Sequence, residues 1–331
     1  MRLTLNKGKF NSITDVPGVK VGHVTLYEKL DDENTICTGV TAILPHGGNM
    51  FQQKVRAAAD VINGFGKSTG LVQIEELGLI ESPIMLTNTF SVGPVLEGTL
   101  TYMLNEDETI GDSTSSINIV VGECNDSHLN SMRLQAVRPE HAIEAIEKAT
   151  SGKIEQGAVG AGKGMVCFQY KGGIGSASRI VTTDDETYTV GALVLSNFGK
   201  RTDALFADFP EVEVKTPDGS IMLIVATDAP VSDRQLKRLA KRCSAGLART
   251  GSYYEHGSGD IAIAFSTANT YSHSEKAPVE SVTYLRDDHQ IMNKLFLAVT
   301  EAIKEAIINS LKFAETTVGR QGRIIEKAPL E

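Results

Sequence analysis

Asp218-Gly219-Ser220-Ile221-Met222-Leu223-Ile224-Val225-Ala226 joins a glycine-hydroxyl corner to an unbroken apolar run of strand length. A strand with one face in water alternates apolar and polar residues, so a run that is apolar at every position reads as a strand buried on both faces. Such a strand needs a layer on each side, which points to an α/β architecture. Gly-Ser ahead of a strand is ordinarily turn chemistry, because Gly frees the backbone and Ser hydrogen-bonds locally. Alone, the corner carries no function.

Downstream of the corner, a helix is expected over 232–247, capped by Ser232. A second buried strand follows over 261–265, then a long helix over 290–313 with apolar residues at 295, 298, 299, 302 and 303. Upstream, residues 203–217 read as an acidic loop with a short edge strand through Val212 and Val214. Before it lie strands over 188–195, which ends at Ser196-Asn197-Phe198-Gly199, and over 165–170. Earlier still come a helix over 139–150 with Pro139 at its start, strands over 117–122, 84–87 and 39–44, and a short strand after Pro17-Gly18. Residues 52–61, rich in Ala, read as a helix that Asn63-Gly64-Phe65-Gly66 ends. Strands and helices mix throughout without a linker or repeat. The expectation is a single α/β (α+β) domain over 1–331, a mixed sheet sandwiched between helical layers.

A net charge of −9 opposes binding to phosphate backbones or anionic lipid, and nucleic acid is not an expected partner. No stretch approaches the ~18 apolar residues of a membrane span, and the start lacks the apolar core of a secretory signal, so a cytoplasmic location is expected. Cys37, Cys124, Cys167 and Cys243 are scattered and suggest reduced thiols. Neither HExxH nor a histidine pair four apart occurs, and no metal or organic cofactor is expected.

Gly157-Ala158-Val159-Gly160-Ala161-Gly162-Lys163-Gly164 fits GxxxxGK but lacks the following Ser or Thr. A phosphate loop also needs a strand before it and a helix after it, whereas here the order is reversed. Close backbone packing is the better reading. His46, His128 and His256 invite a Ser-His-Asp triad, His256 most of all because it stands two residues before Ser258. No GxSxG elbow accompanies them, and loop histidines are the preferred reading.

Several ordered segments change the meaning of the corner: 63–70 (NGFGKSTG), 83–89 (PIMLTNT), 173–179 (GIGSASR), 193–199 (LVLSNFG), 218–220 with 226–230 (ATDAP), and 246–252 (GLARTGS) with 257–260 (GSGD). Together they resemble the L-aminopeptidase/D-amidase-esterase and β-peptidyl aminopeptidase family, over nearly the whole chain. The resemblance implies the layered fold shared with ornithine acetyltransferase and a precursor that cleaves itself between Gly219 and Ser220. The products would be 1–219 and 220–331. Ser220 would then be the N-terminal nucleophile of a hydrolase that releases N-terminal residues from short peptides, amino acid amides or esters. An N-terminal amine has a reference pKa of about 7.7–8.0, suited to general-base work near neutral pH.

The same resemblance implies supporting roles for Ser258 and Asp260 beside the nucleophile, an oxyanion donor in Asn197, and a substrate pocket at Glu123 and Asn125. A carboxylate such as Glu123 suits the substrate's free ammonium. Some relatives carry Glu where Asp260 stands and Tyr where Asn125 stands. A homo-oligomer, tetramer or larger, is also implied. Two alternatives stand beside this reading: an acyltransferase resembling ornithine acetyltransferase, which normally uses Thr as nucleophile, and a binding protein that keeps the fold without processing.

Overall fold

The computed structural model describes residues 5–183, 185–211, 219–274 and 277–330. In chain order the elements are β1 Lys20–Lys29, β2 Thr35–Leu44, β3 Gln53–Gly64, α1 Leu71–Leu77, β4 Leu79–Ile80, β5 Ile84–Asn88, α2 Val92–Glu106, β6 Val120–Cys124 and α3 Pro139–Glu147. Then come β7 Val166–Cys167, β8 Tyr170–Lys171, β9 Gly173–Thr182, β10 Thr187–Asn197, β11 Ser220–Thr227, α4 Asp233–Ala248, β12 Gly259–Ser272, α5 Ile291–Lys312, β13 Thr317–Val318 and β14 Ile324–Ile325.

Two sheets carry the fold. One has the order β1-β2-β5-β6 and the other β4-β3-β12-β11-β10-β9. Both mix parallel and antiparallel pairs: β5–β6 and β11–β12 are parallel. The sheets face each other across an apolar layer that includes Ile43, Leu86, Val120, Leu193, Met222, Ile224 and Ile263. Helices α4 and α5 cover the outer face of the six-stranded sheet, and α2 and α3 cover the four-stranded one. The expected sandwich between helical layers is present, with two sheets in its middle.

The apolar run behind Ser220 is explained by this layering. Ile221, Leu223 and Val225 pack toward α4 and α5, whereas Met222, Ile224 and Ala226 pack between the sheets. Burying one such side chain is worth about 1.5–3 kcal/mol, and a central strand collects that on both faces. Ser232 caps α4, accepting from the Gln235 N–H, while the Gln235 side chain reaches back to the Ser232 N–H at 2.9 Å.

Two expectations are corrected. Residues 52–61 are not helical but form most of β3, paired antiparallel with β12. Ala favours helix in isolation, yet here Ala57 and Ala59 face the inter-sheet layer and Ala58 the outer one, and burial on alternate sides overrides local propensity. The strand expected over 165–170 is instead the tight hairpin β7–β8, with Phe168 and Gln169 at φ 48° and 58°. Helices α1 and α2 are not among the elements expected from the sequence. The edge strand expected at Val212 and Val214 lies outside the described residues.

Candidate active site

Strand register assembles the site at one end of the six-stranded sheet. Asn197, the last residue of β10, pairs with Ser220, the first of β11, and Ser220 pairs in turn with Gly259 of β12. Asp260 lies opposite Ile221 on one side and Asn63 of β3 on the other. Neighbouring strands are about 4.8 Å apart, so residues distant in sequence become adjacent.

Two glycines permit this closeness. A Cβ on Gly219 would sit 2.6 Å from Phe198 Cα and 2.7 Å from the Asn197 carbonyl oxygen, and one on Gly259 would sit 2.7 Å from the Phe65 carbonyl oxygen. Ser220 itself is buried, and its hydroxyl donates to the Gly219 carbonyl at 2.7 Å. That rotamer holds the Oγ atom against the peptide group on its own N-terminal side.

Asn197 is held by two backbone groups. Its Oδ1 accepts from the Val166 N–H at 2.9 Å, and its Nδ2 donates to the Asn125 carbonyl at 2.9 Å. These partners fix which end of the carboxamide is nitrogen and leave the second N–H of Nδ2 for a ligand. Strand alternation puts Asn197 on the face of Leu195 and Ser220 on the face of Met222, both lining the inter-sheet layer.

Ser258 and Asp260 form a buried pair, the hydroxyl donating to Oδ1 at 2.6 Å. Among the described residues, Oδ2 of Asp260 has no hydrogen-bond partner. Burial pushes the Asp260 carboxyl up to about 6, against the Ser258 hydrogen bond, and the Glu255 charge adds to the rise. Asn63 clamps the preceding loop, its Nδ2 reaching the carbonyls of Glu255 at 2.9 Å, His256 at 3.3 Å and Ser258 at 2.5 Å. Asn63 reads as a helix-stop residue in the sequence. Its clamping role depends on a loop nearly two hundred positions away.

Glu123, at the end of β6, contributes from the opposite sheet. It is buried, accepts from the Lys67 N–H at 2.8 Å and from the Thr89 hydroxyl, and among the described residues no cation pairs with it. The 63–70 segment reaches it because Thr69 bridges to Val121, carrying the chain from one sheet to the other. Gly66 packs close to both Glu123 and Gly259, which ties the carboxylate to the strand partner of Ser220. Asn125 reaches the cluster through its main-chain carbonyl. Its side chain accepts from the Ser127 N–H at 2.9 Å.

His256 is exposed and faces the Phe65 ring at 6.3 Å, and His46 bonds the Gln53 carbonyl oxygen at 2.7 Å. At 157–164, a Cβ on Gly157, Gly160, Gly162 or Gly164 would approach neighbouring atoms closer than 3.0 Å, and Lys163 turns its Nζ onto the Tyr27 ring at 4.0 Å. The four glycines of that loop serve close backbone packing.

Residues 11–325 match Peptidase family S58. The chain belongs to that family. Among its relatives is the β-peptidyl aminopeptidase BapA of Sphingosinicella microcystinivorans, 40% identical over 97% of this chain and 86% of the relative. Among solved structures, the PH0078 protein of Pyrococcus horikoshii OT3 is 53% identical with a TM-score of 0.92, covering 98% of this chain and 93% of that one. The L-aminopeptidase D-Ala-esterase/amidase of Ochrobactrum anthropi, a serine aminopeptidase with a variant of the Ntn hydrolase fold, is 34% identical with a TM-score of 0.92 over 99% of this chain and 93% of that one. The family S58 chain is thus an aminopeptidase/amidase of Ntn-hydrolase fold, and the acyltransferase and non-catalytic alternatives fall away. No helix among its described residues is long and apolar enough to cross a membrane.

Proposed function

We propose that this aminopeptidase cuts its own chain between Gly219 and Ser220 and uses the freed Ser220 as its nucleophile, all within one domain. The observation that carries the reading is the Ser220 hydroxyl held 2.7 Å from the Gly219 carbonyl oxygen, with the Asn197 carboxamide on the paired strand. In processing, Ser220 Oγ adds to the Gly219 carbonyl carbon, the C–N bond breaks, and the hydroxyl proton passes to the departing Ser220 nitrogen. Water then hydrolyses the resulting ester, leaving the Gly219 carboxylate and a free Ser220 amine and hydroxyl.

In turnover, the Ser220 amine takes the hydroxyl proton as Oγ adds to the substrate carbonyl, and returns it to the leaving amine as the acyl-enzyme forms. Water attacks that ester to release the acid. The unused N–H of Asn197 Nδ2 stabilises the oxyanion of both tetrahedral intermediates, and such a donor is typically worth about 3–4 kcal/mol. Ser258 and Asp260 receive the new Ser220 ammonium, for which the unpartnered Asp260 Oδ2 supplies an acceptor. Glu123 binds the substrate's ammonium, and Asn125 borders the same pocket.

Short peptides, amino acid amides or esters are the substrates, β-amino acid peptides among them, as the names of the relatives suggest. Four buried free thiols accord with a cytoplasmic location, and we assign a homo-oligomer by likeness to the family. N-terminal sequencing tests the reading: a second terminus beginning Ser220-Ile221-Met222 supports it, and an intact chain with full activity would sink it.

A further inference from the structure

Lys171, on β8, is wholly buried, and its Nζ donates to the carbonyls of Gly162 at 2.9 Å, Met165 at 2.7 Å and Gly172 at 2.8 Å. An ammonium has three N–H groups, and all three are used. The acceptors span the 162–172 turn from end to end. The same turn docks on the end of β10 through two backbone donors, Val166 N–H to Asn197 Oδ1 at 2.9 Å and Phe168 N–H to the Phe198 carbonyl at 2.7 Å. Phe168 and Gln169 sit in the left-handed region at its tip, a conformation that non-glycine residues hold only when their surroundings enforce it.

Among the described residues, no carboxylate pairs with Lys171. Burial lowers its pKa to about 7; Lys163 acts in the same direction, while Cys37, Cys167 and Asp126 oppose it. A charged group kept in so dry a place is costly, and hydrophobic residues would fill the space more cheaply. The carbonyls it gathers, however, belong to the turn that aims the Val166 N–H.

We propose that Lys171 is a positioning residue for Asn197: its ammonium holds the 162–172 turn so that the Val166 N–H fixes the carboxamide and leaves an Nδ2 N–H for the oxyanion. Lys171 touches no reacting atom. The inference rests on the oxyanion role given to Asn197 above.

The test is a double-mutant cycle on cleaved enzyme, using the best substrate from a panel of L-, D- and β-amino acid p-nitroanilides. Lys171→Met should lower kcat about 10- to 100-fold with KM within about threefold, as expected for an interaction made in the transition state. In an Asn197→Ala background the same substitution should change kcat by less than about threefold, because its route to the oxyanion is already gone. Equal losses in both backgrounds, or a folded Lys171→Met enzyme with unchanged kcat, would overturn the proposal. Full kcat in Asn197→Ala alone would instead remove the oxyanion assignment. If Lys171→Met does not fold, Lys171→Gln, a neutral side chain with two N–H donors, takes its place in the cycle.

Discussion

Two glycine-marked stretches of this chain look alike and serve opposite ends. Residues 157–164 carry four glycines and a GK pair, and Gly219-Ser220 is a bare dipeptide. In both, a side chain on the glycine would collide with neighbouring backbone. In the first, the tight approach packs the loop against β2, β9 and the end of α5, its lysine lies over Tyr27, and its last residues open the turn that Lys171 holds. In the second, the approach delivers a hydroxyl to a peptide carbonyl beside Asn197, Ser258 and Asp260. Glycine spacing reports how closely backbones meet, and the residues brought together decide whether chemistry follows.

Ser220→Ala should give one full-length band on a denaturing gel and lose activity by at least ~10⁴-fold, since nucleophile deletions in hydrolases reach about 10⁶. Asn197→Ala should fold and lower kcat by ~10²–10³-fold, the usual cost of one oxyanion donor. Its self-cleavage should slow in parallel, seen as an accumulating precursor band.

In the uncut chain, the Asp260 carboxyl is raised to about 6, so it takes stability from the fold as the pH rises from about 4, where the unfolded carboxyl ionises, to about 6. Asp260→Asn in the Ser220→Ala background should therefore raise stability by ~1–3 kcal/mol above pH 6, a gain that vanishes as the pH falls toward 4. Thermal unfolding across that range measures it, and a gain that grew toward low pH would contradict the assignment. At the other stretch, Gly157→Ala should cost ~2–4 kcal/mol of stability, through a positive φ and a collision with the Phe313 carbonyl. Its kcat per folded, cleaved enzyme should be unchanged.

Elements with strong local signals are legible in the residues alone. The two-faced apolar run of β11, the Ser232 cap of α4 and the long apolar stripe of α5 each carry their cause within a few neighbouring residues. The Ala-rich β3 reads as a helix because its small side chains matter only between two layers, and the β7–β8 hairpin reads as one strand because left-handed Phe168 and Gln169 leave no trace in residue type. At the site, Ser220, Asn197, Ser258 and Asp260 can be named from ordered segments resembling one family, and Glu123 from the same resemblance. Asn63 and Thr89 lie in such segments, yet their contacts, like those of the Val166 N–H and Lys171, cannot be read there, since each acts on a group brought near only by folding.

The residues alone carry the layered class of the fold, the family, and a glycine-serine corner at the head of a buried strand. Folding is what pairs Asn197 with Ser220, sets Ser258 and Asp260 next to its strand partner Gly259, and brings Glu123 in from the other sheet. The reason is that strand ladders and sheet packing join residues tens of positions apart through backbone hydrogen bonds, which any residue except proline can donate. Which strands pair, and in which register, is settled by the burial of whole faces.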